Sequence, residues 1–159
     1  MLGIAGIALV GLVAAVAIAA RPSASAGACH AAIDRGVIPP WARTGFSDKE
    51  PRMPHVVARG GRLAALLFGD PLTSPPRPDV SNKILWVSRT PQNAPSDLRL
   101  SAQRMDGDRA DGKPVSRTVA GGPGPSIIDL PQAGCWRITA RWAGQQDELD
   151  LVYAPPSGR

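Results

Sequence analysis

The sequence predicts an all-β fold, an antiparallel sandwich of about seven strands set behind an N-terminal signal or anchor segment. Three observations predict it. From His55 onward the apolar residues come in short runs separated by Gly, Pro, Asn and Asp turn signals. Glycine and proline each number 17 in 159 residues, a composition that favours turns between short strands over long helices. The chain has two cysteines, Cys29 and Cys135, and a pair in an exported chain predicts one disulfide. The length fits one folded domain.

Residues 1–26 carry the export signal. Leu2 to Ala20 read "LGIAGIALVGLVAAVAIAA", nineteen residues without a charge, and Arg21-Pro22 end the run. Ala24 with Ala26, and Ala26 with Ala28, form A-x-A cleavage patterns. No Lys or Arg precedes the run, and nineteen apolar residues reach bilayer length, so the segment fits a cleaved signal or a retained anchor. A lipid on Cys29 is a third reading, although "AGAC" lacks the Leu that a lipobox carries three residues before its Cys. All three place Cys29 onward outside the cytoplasm.

Residues 27–54 read as an irregular plug, in which the prolines of "VIPPW" and "KEPRMP" block regular ladders while Trp41 and Phe46 call for apolar packing. Residues 55–154 form the sandwich and 155–159 a tail. "HVV" is a short strand. "RLAALLF" is apolar on both faces, as a buried central strand is. "LTSPPRPDVSN" is a loop. "KILWVSR" is a second central strand, with Ile84 and Trp86 on one face and Leu85 and Val87 on the other. In "DLRLSAQRM", Leu98, Leu100 and Ala102 face in, and Arg99, Ser101 and Gln103 face out. "DGDRADG" is a turn, "KPVSRTV" an edge strand, "AGGPGPS" a loop and "IIDL" a short strand.

The last hairpin invites a register. Trp136, Ile138, Ala140 and Trp142 share one face; Cys135, Arg137, Thr139 and Arg141 share the other. A type II′ turn at Gly144-Gln145 sets Arg141 opposite Glu148, Thr139 opposite Asp150, and Trp136 opposite Tyr153. Cys135 then points away from the tryptophan face, so Cys29 must arrive on a segment crossing the outside of the sheet. The bond closes a loop of about a hundred residues, a stabilisation of about 4 kcal/mol by chain entropy.

The stretches "PPWARTGFS", "LFGDPL", "NKILWVSR", "GGPGPSIIDLPQAGCW" and "LDLVY" resemble a group of small exported bacterial β-sandwich proteins of Gram-positive type, secreted or lipidated. The resemblance covers most of residues 37–153. It implies an immunoglobulin-like fold and an envelope location, with no activity and no catalytic residue to carry over.

Other chemistry finds little footing. The formal net charge is +5, with 18 Lys and Arg against 13 Asp and Glu, and arginine supplies nearly all of it. Aromatics are 4%, too few for a base-stacking surface, so no nucleic-acid partner is expected. Counted as a calcium loop from Asp106, "DGDRADG" has Asp111 where the Gly belongs and Arg117 where the closing Glu belongs. Cys29, Cys135, His30 and His55 lack zinc-finger spacing. "GGPGPS" has no Lys, and its prolines remove amide donors. Ser126 has Ile128 where a G-x-S-x-G motif has its second glycine.

The chain therefore reads as a non-enzymatic extracytoplasmic module that needs no cofactor and binds a protein, an anionic envelope polymer or a lipid surface. Arg137, Thr139 and Arg141 are its candidate contact face. The alternatives are a structural or accessory ectodomain of a membrane complex held by residues 2–20, or a metal-dependent enzyme using His30, His55 and nearby acids.

Overall fold

Alternation at period two and the spacing of the turn residues build nine strands: β1 (His55–Val57), β2 (Leu63–Leu67), β3 (Leu72–Thr73), β4 (Lys83–Ser88), β5 (Leu98–Asp106), β6 (Arg109–Val119), β7 (Pro125–Ile127), β8 (Gly134–Trp142) and β9 (Gln145–Ala154). A computed structural model describes Cys29 and residues 31–156; the signal or anchor segment and His30 lie outside the described residues. The strands form two sheets, β1-β2-β4-β7 and β3-β9-β8-β5-β6, stacked as a sandwich. All pairings are antiparallel except β3 with β9, which is parallel.

The core lies between the sheets. Leu63, Ala65, Leu67, Ile84 and Trp86 meet Leu98, Leu100, Trp136, Ile138, Trp142, Leu149 and Leu151 in one buried cluster. Each buried indole finds a partner for its N–H: Trp86 donates to Ser126 Oγ at 3.1 Å, Trp136 to Gln132 O at 3.0 Å and Trp142 to Ser88 Oγ at 3.1 Å. Among the described residues no buried side-chain nitrogen or oxygen lacks a hydrogen bond.

β2 is buried at all five positions because both its faces are covered. Leu63, Ala65 and Leu67 face the core, and Ala64 and Leu66 lie beneath residues 31–54. That segment wraps the sandwich as a strap. Asp34 and His55 exchange backbone hydrogen bonds of 2.9 and 2.8 Å at the β1 edge. The strap then crosses the outer face of the four-stranded sheet, where Ile38 and Ala42 are fully buried with Trp41, Phe46 and Met53 packed around them. Arg43 ties the crossing together, donating to Ile38 O at 3.0 Å and Lys49 O at 2.9 Å.

Besides β7, which runs Pro125–Ile127 where "IIDL" was expected, three details differ from the sequence reading. Leu72–Thr73 is a strand, not loop, because Asn82 accepts from Thr73 N at 2.9 Å and donates to Thr73 O at 2.9 Å, which fastens the segment beside β9. "DGDRADG" is mostly ladder: only Gly107 and Asp108 turn, with Asp106 already opposite Arg109. The third is the register of the last hairpin, which is shifted by two residues. Trp142 faces Gln145, Ile138 faces Leu149 and Arg137 faces Asp150. The turn is Ala143-Gly144, with φ of 42° and 71°, a type I′ geometry that matches the twist of the strands. An even shift keeps every side chain on its face, so alternation alone cannot choose between the two registers.

Candidate binding face

The expected disulfide joins Cys29 to Cys135, with Cα atoms 5.5 Å apart. Cys135 stands near the start of β8, between Met105 and Val152 on the outer face of the five-stranded sheet. Cys29 therefore crosses outside the sandwich, unlike the core-facing bond of antibody domains. A disulfide that pairs the only two cysteines of the chain marks an oxidising, extracytoplasmic compartment. Among the described residues no helix is long and apolar enough to cross a membrane.

The two sheets differ on their outer sides. The strap covers the outer side of β2 and β4 in the four-stranded sheet, while beyond the disulfide the outer side of the five-stranded sheet carries mainly polar and charged side chains. Arg137, Thr139 and Arg141 stand there on β8, with Gln103, Ser101 and Arg99 opposite on β5 and Asp150, Glu148 and Gln146 opposite on β9.

The three named residues are not equivalent. Arg137 is drawn into a charge network: its Nε donates to Asp150 Oδ1 at 3.2 Å and lies 3.7 Å from Glu148. Arg59, from the β1–β2 turn, reaches over β9 to donate to Asp150 Oδ2 at 2.9 Å and to pair with Glu148. The Asp150 side chain is only 1% exposed, so two guanidiniums hold one buried carboxylate. The hydrogen bond to Asp150 raises the Arg137 pKa above its ordinary value. Arg141 instead donates to the neutral Gln146 Oε1 at 2.8 Å and is exposed. Thr139 lies between them, half-buried, opposite Glu148.

Along the sequence Asp147, Glu148 and Asp150 read as turn and edge-strand solvation, but β9 lies inside its sheet, between β3 and β8, and Asp147 and Asp150 are buried. Asp147 sits at an inward position of β9, opposite Ala140, and is buried. Its carboxylate accepts from the backbone amides of Gly60 at 2.7 Å, Arg62 at 2.8 Å and Glu148 at 2.9 Å. It thereby fixes the β1–β2 turn, which in turn aims Arg59. The available signal was an acid standing where the "DELDLVY" alternation asked for an apolar side chain.

Among the described residues one group of three possible ligand atoms gathers within 4.8 Å, that of Cys29, Cys135 and Asp150. Its two sulfurs are bonded to each other and Asp150 is held by arginine, so the group as it stands is structural. His55 is buried, with Nδ1 2.9 Å from Met53 O and Nε2 4.0 Å from Asp34. Asp111, in the former calcium candidate, pairs with Arg104. Ser126 accepts the Trp86 indole N–H.

Compared with known protein families, with curated proteins and with solved structures, the chain matches none.

Proposed function

We propose that this protein is a non-enzymatic extracytoplasmic binding module that presents the outer face of its five-stranded sheet to an anionic component of the cell envelope. The observation that carries the reading is the asymmetry of the sandwich. One sheet has the outer side of β2 and β4 covered by the chain's own strap, leaving Phe68, Lys83 and Ile127 exposed near one end, and the other keeps a broad face bearing Arg99, Arg137 and Arg141. The parallel β3–β9 edge and the passage of the chain from β2 in one sheet to β3 in the other support an immunoglobulin-like reading of the sandwich. The structural hydrogen bonds of Asp147, Asp150 and His55 support a binding role over a catalytic one, since these buried titratable groups are engaged in holding the fold.

Co-sedimentation of the disulfide-bonded protein with isolated Gram-positive cell walls and membranes tests this reading. Binding that weakens steeply from low to moderate salt supports it. A protein that stays in the supernatant at low salt with both fractions sinks it.

A second reading, an accessory ectodomain, is favoured by a small apolar patch. Phe68 is 51% exposed and Ile127 60% exposed, beside Lys83, whose ammonium lies 5.1 Å from the Phe68 ring centre. Cross-linking in the native membrane would capture a neighbouring subunit through this patch if that reading holds.

A further inference from the structure

We infer that the contact on this face is a row of arginines at its β8–β9 turn end, Arg99, Arg141 and Arg62, and that it takes a phosphodiester polyanion; the inference rests on the reading above and names its site. Arg99 and Arg141 stand directly opposite each other on β5 and β8. Like charges at directly opposed positions destabilise a sheet unless something neutralises them. Elsewhere on the face a carboxylate does so, because Arg137 and Arg59 share Asp150 and Glu148. At the turn end, among the described residues, no carboxylate pairs with Arg99, Arg141 or Arg62.

One neutral residue links two of the three. Gln146 accepts Arg141 Nε on its side-chain oxygen at 2.8 Å and Arg62 Nη1 on its backbone oxygen at 3.0 Å. Arg99 and Arg141 thus stand side by side on β5 and β8, strands about 4.8 Å apart, and Arg62, from the β1–β2 turn, reaches the β9 backbone at Gln146 beside them. Arg99, Arg141 and Gln146 line a groove of about 420 Å³ that also holds the Ala143-Gly144 turn. The one acid in the groove, Asp97, accepts the Gly121 amide at 3.0 Å and so is engaged with the loop before β7.

The geometry selects the ligand. A planar guanidinium fork matches phosphate oxygens two at a time, and a row of forks suits a chain of phosphates better than one isolated anion. The groove is open and shallow, which suits a flexible polymer lying across strands. Binding to it involves no covalent step.

The test is a calorimetric titration of the disulfide-bonded protein with poly(glycerol phosphate), with phosphatidylglycerol vesicles as a second arm. Two double variants remove the same charge: Arg99→Gln with Arg141→Gln in the row, and Arg109→Gln with Lys113→Gln on β6. All four side chains are exposed, and thermal melts check that each variant folds. The expected result is polymer binding that weakens at least tenfold in the Arg99/Arg141 variant and less than threefold in the Arg109/Lys113 variant. Equal losses in the two variants overturn the row while leaving the envelope-binding reading intact. Binding to vesicles but not to polymer overturns the polymer as ligand. Absence of binding in both arms by the unaltered protein overturns the row and, with it, the reading it rests on.

Discussion

Arg137 and Asp150 face each other across β8 and β9, Nε to Oδ1 at 3.2 Å, and Arg59 closes on the same carboxylate from the far side at 2.9 Å. A buried carboxylate with two guanidiniums is stable only as a set. Asp150→Asn is expected to destabilise the protein by about 1–3 kcal/mol, because it leaves two arginines facing one neutral group. Arg59 is nearly half exposed, so Arg59→Ala should cost less, under about 1 kcal/mol. In urea unfolding the Arg59 and Asp150 substitutions should be non-additive; strict additivity would show that the network does not act as a unit.

Removing the Cys29–Cys135 bond releases a closed loop spanning 106 positions. The Cys29→Ser/Cys135→Ser protein should lose about 2–5 kcal/mol, a fall in Tm on the order of ten degrees. Reduction of the native protein should produce the same fall in calorimetry. A Tm unmoved by both treatments would mean that the packing of Ile38 and Ala42 alone holds the strap.

Asp147 satisfies three backbone amides from a buried position. Asp147→Ala leaves them without an acceptor, an expected loss of about 2–3 kcal/mol. Amide exchange should localise the effect, with Gly60 and Arg62 losing protection while the β5–β6 ladder keeps it.

Tyr153, the chain's single tyrosine, donates its hydroxyl to Ile128 O at 2.6 Å, and burial, with Asp129 nearby, pushes its pKa well above the ordinary value near 10. Folding therefore favours the neutral phenol. The stability that this contributes is fully present below pH 10 and is lost as pH rises from there toward the raised pKa, since only the unfolded chain ionises in that window. Absorbance near 295 nm should show no tyrosinate until the protein unfolds in alkali. A smooth titration near pH 10 with the fold intact would contradict the buried hydrogen bond.

Ala143 holds φ at 42°, a left-handed value that costs a residue with a Cβ about 1 kcal/mol. Ala143→Asn places Asn-Gly in the type I′ turn and should stabilise the protein by about 0.5–1 kcal/mol. A thermal melt checks it, and an unchanged or lower Tm would speak against the turn geometry and the register it sets.

How far the chain could be read in advance varies by element. β5 was legible because Leu98, Leu100 and Ala102 alternate with polar residues, and one face of a sheet must be dry. β2 was legible because both its faces are apolar. β3 was not, since two residues flanked by prolines carry no period; Asn82, just before β4, supplies the side-chain hydrogen bonds that make it a strand. On the binding face, the sequence placed Arg137, Thr139 and Arg141 on one side of β8. It did not separate Arg137 from Arg141, because their partners differ by where β9 lies.

The sequence by itself determined the all-β class, which residues face in or out along β5, β8 and β9, and the one disulfide two cysteines allow. These follow from a period of two and from chemistry local to each residue. Only the tertiary structure decided the two-residue register of the last hairpin, the burial of Asp147 and Asp150, the facing of Arg99 with Arg141 and the linking of Arg62 to Arg141 through Gln146. A shift of two residues preserves every face, so the alternation is silent about it, and the Ala143-Gly144 turn chooses. The partners of a charge depend on segments far apart in the chain, Arg59 and Asp150 being separated by 91 positions, and no local pattern encodes that distance.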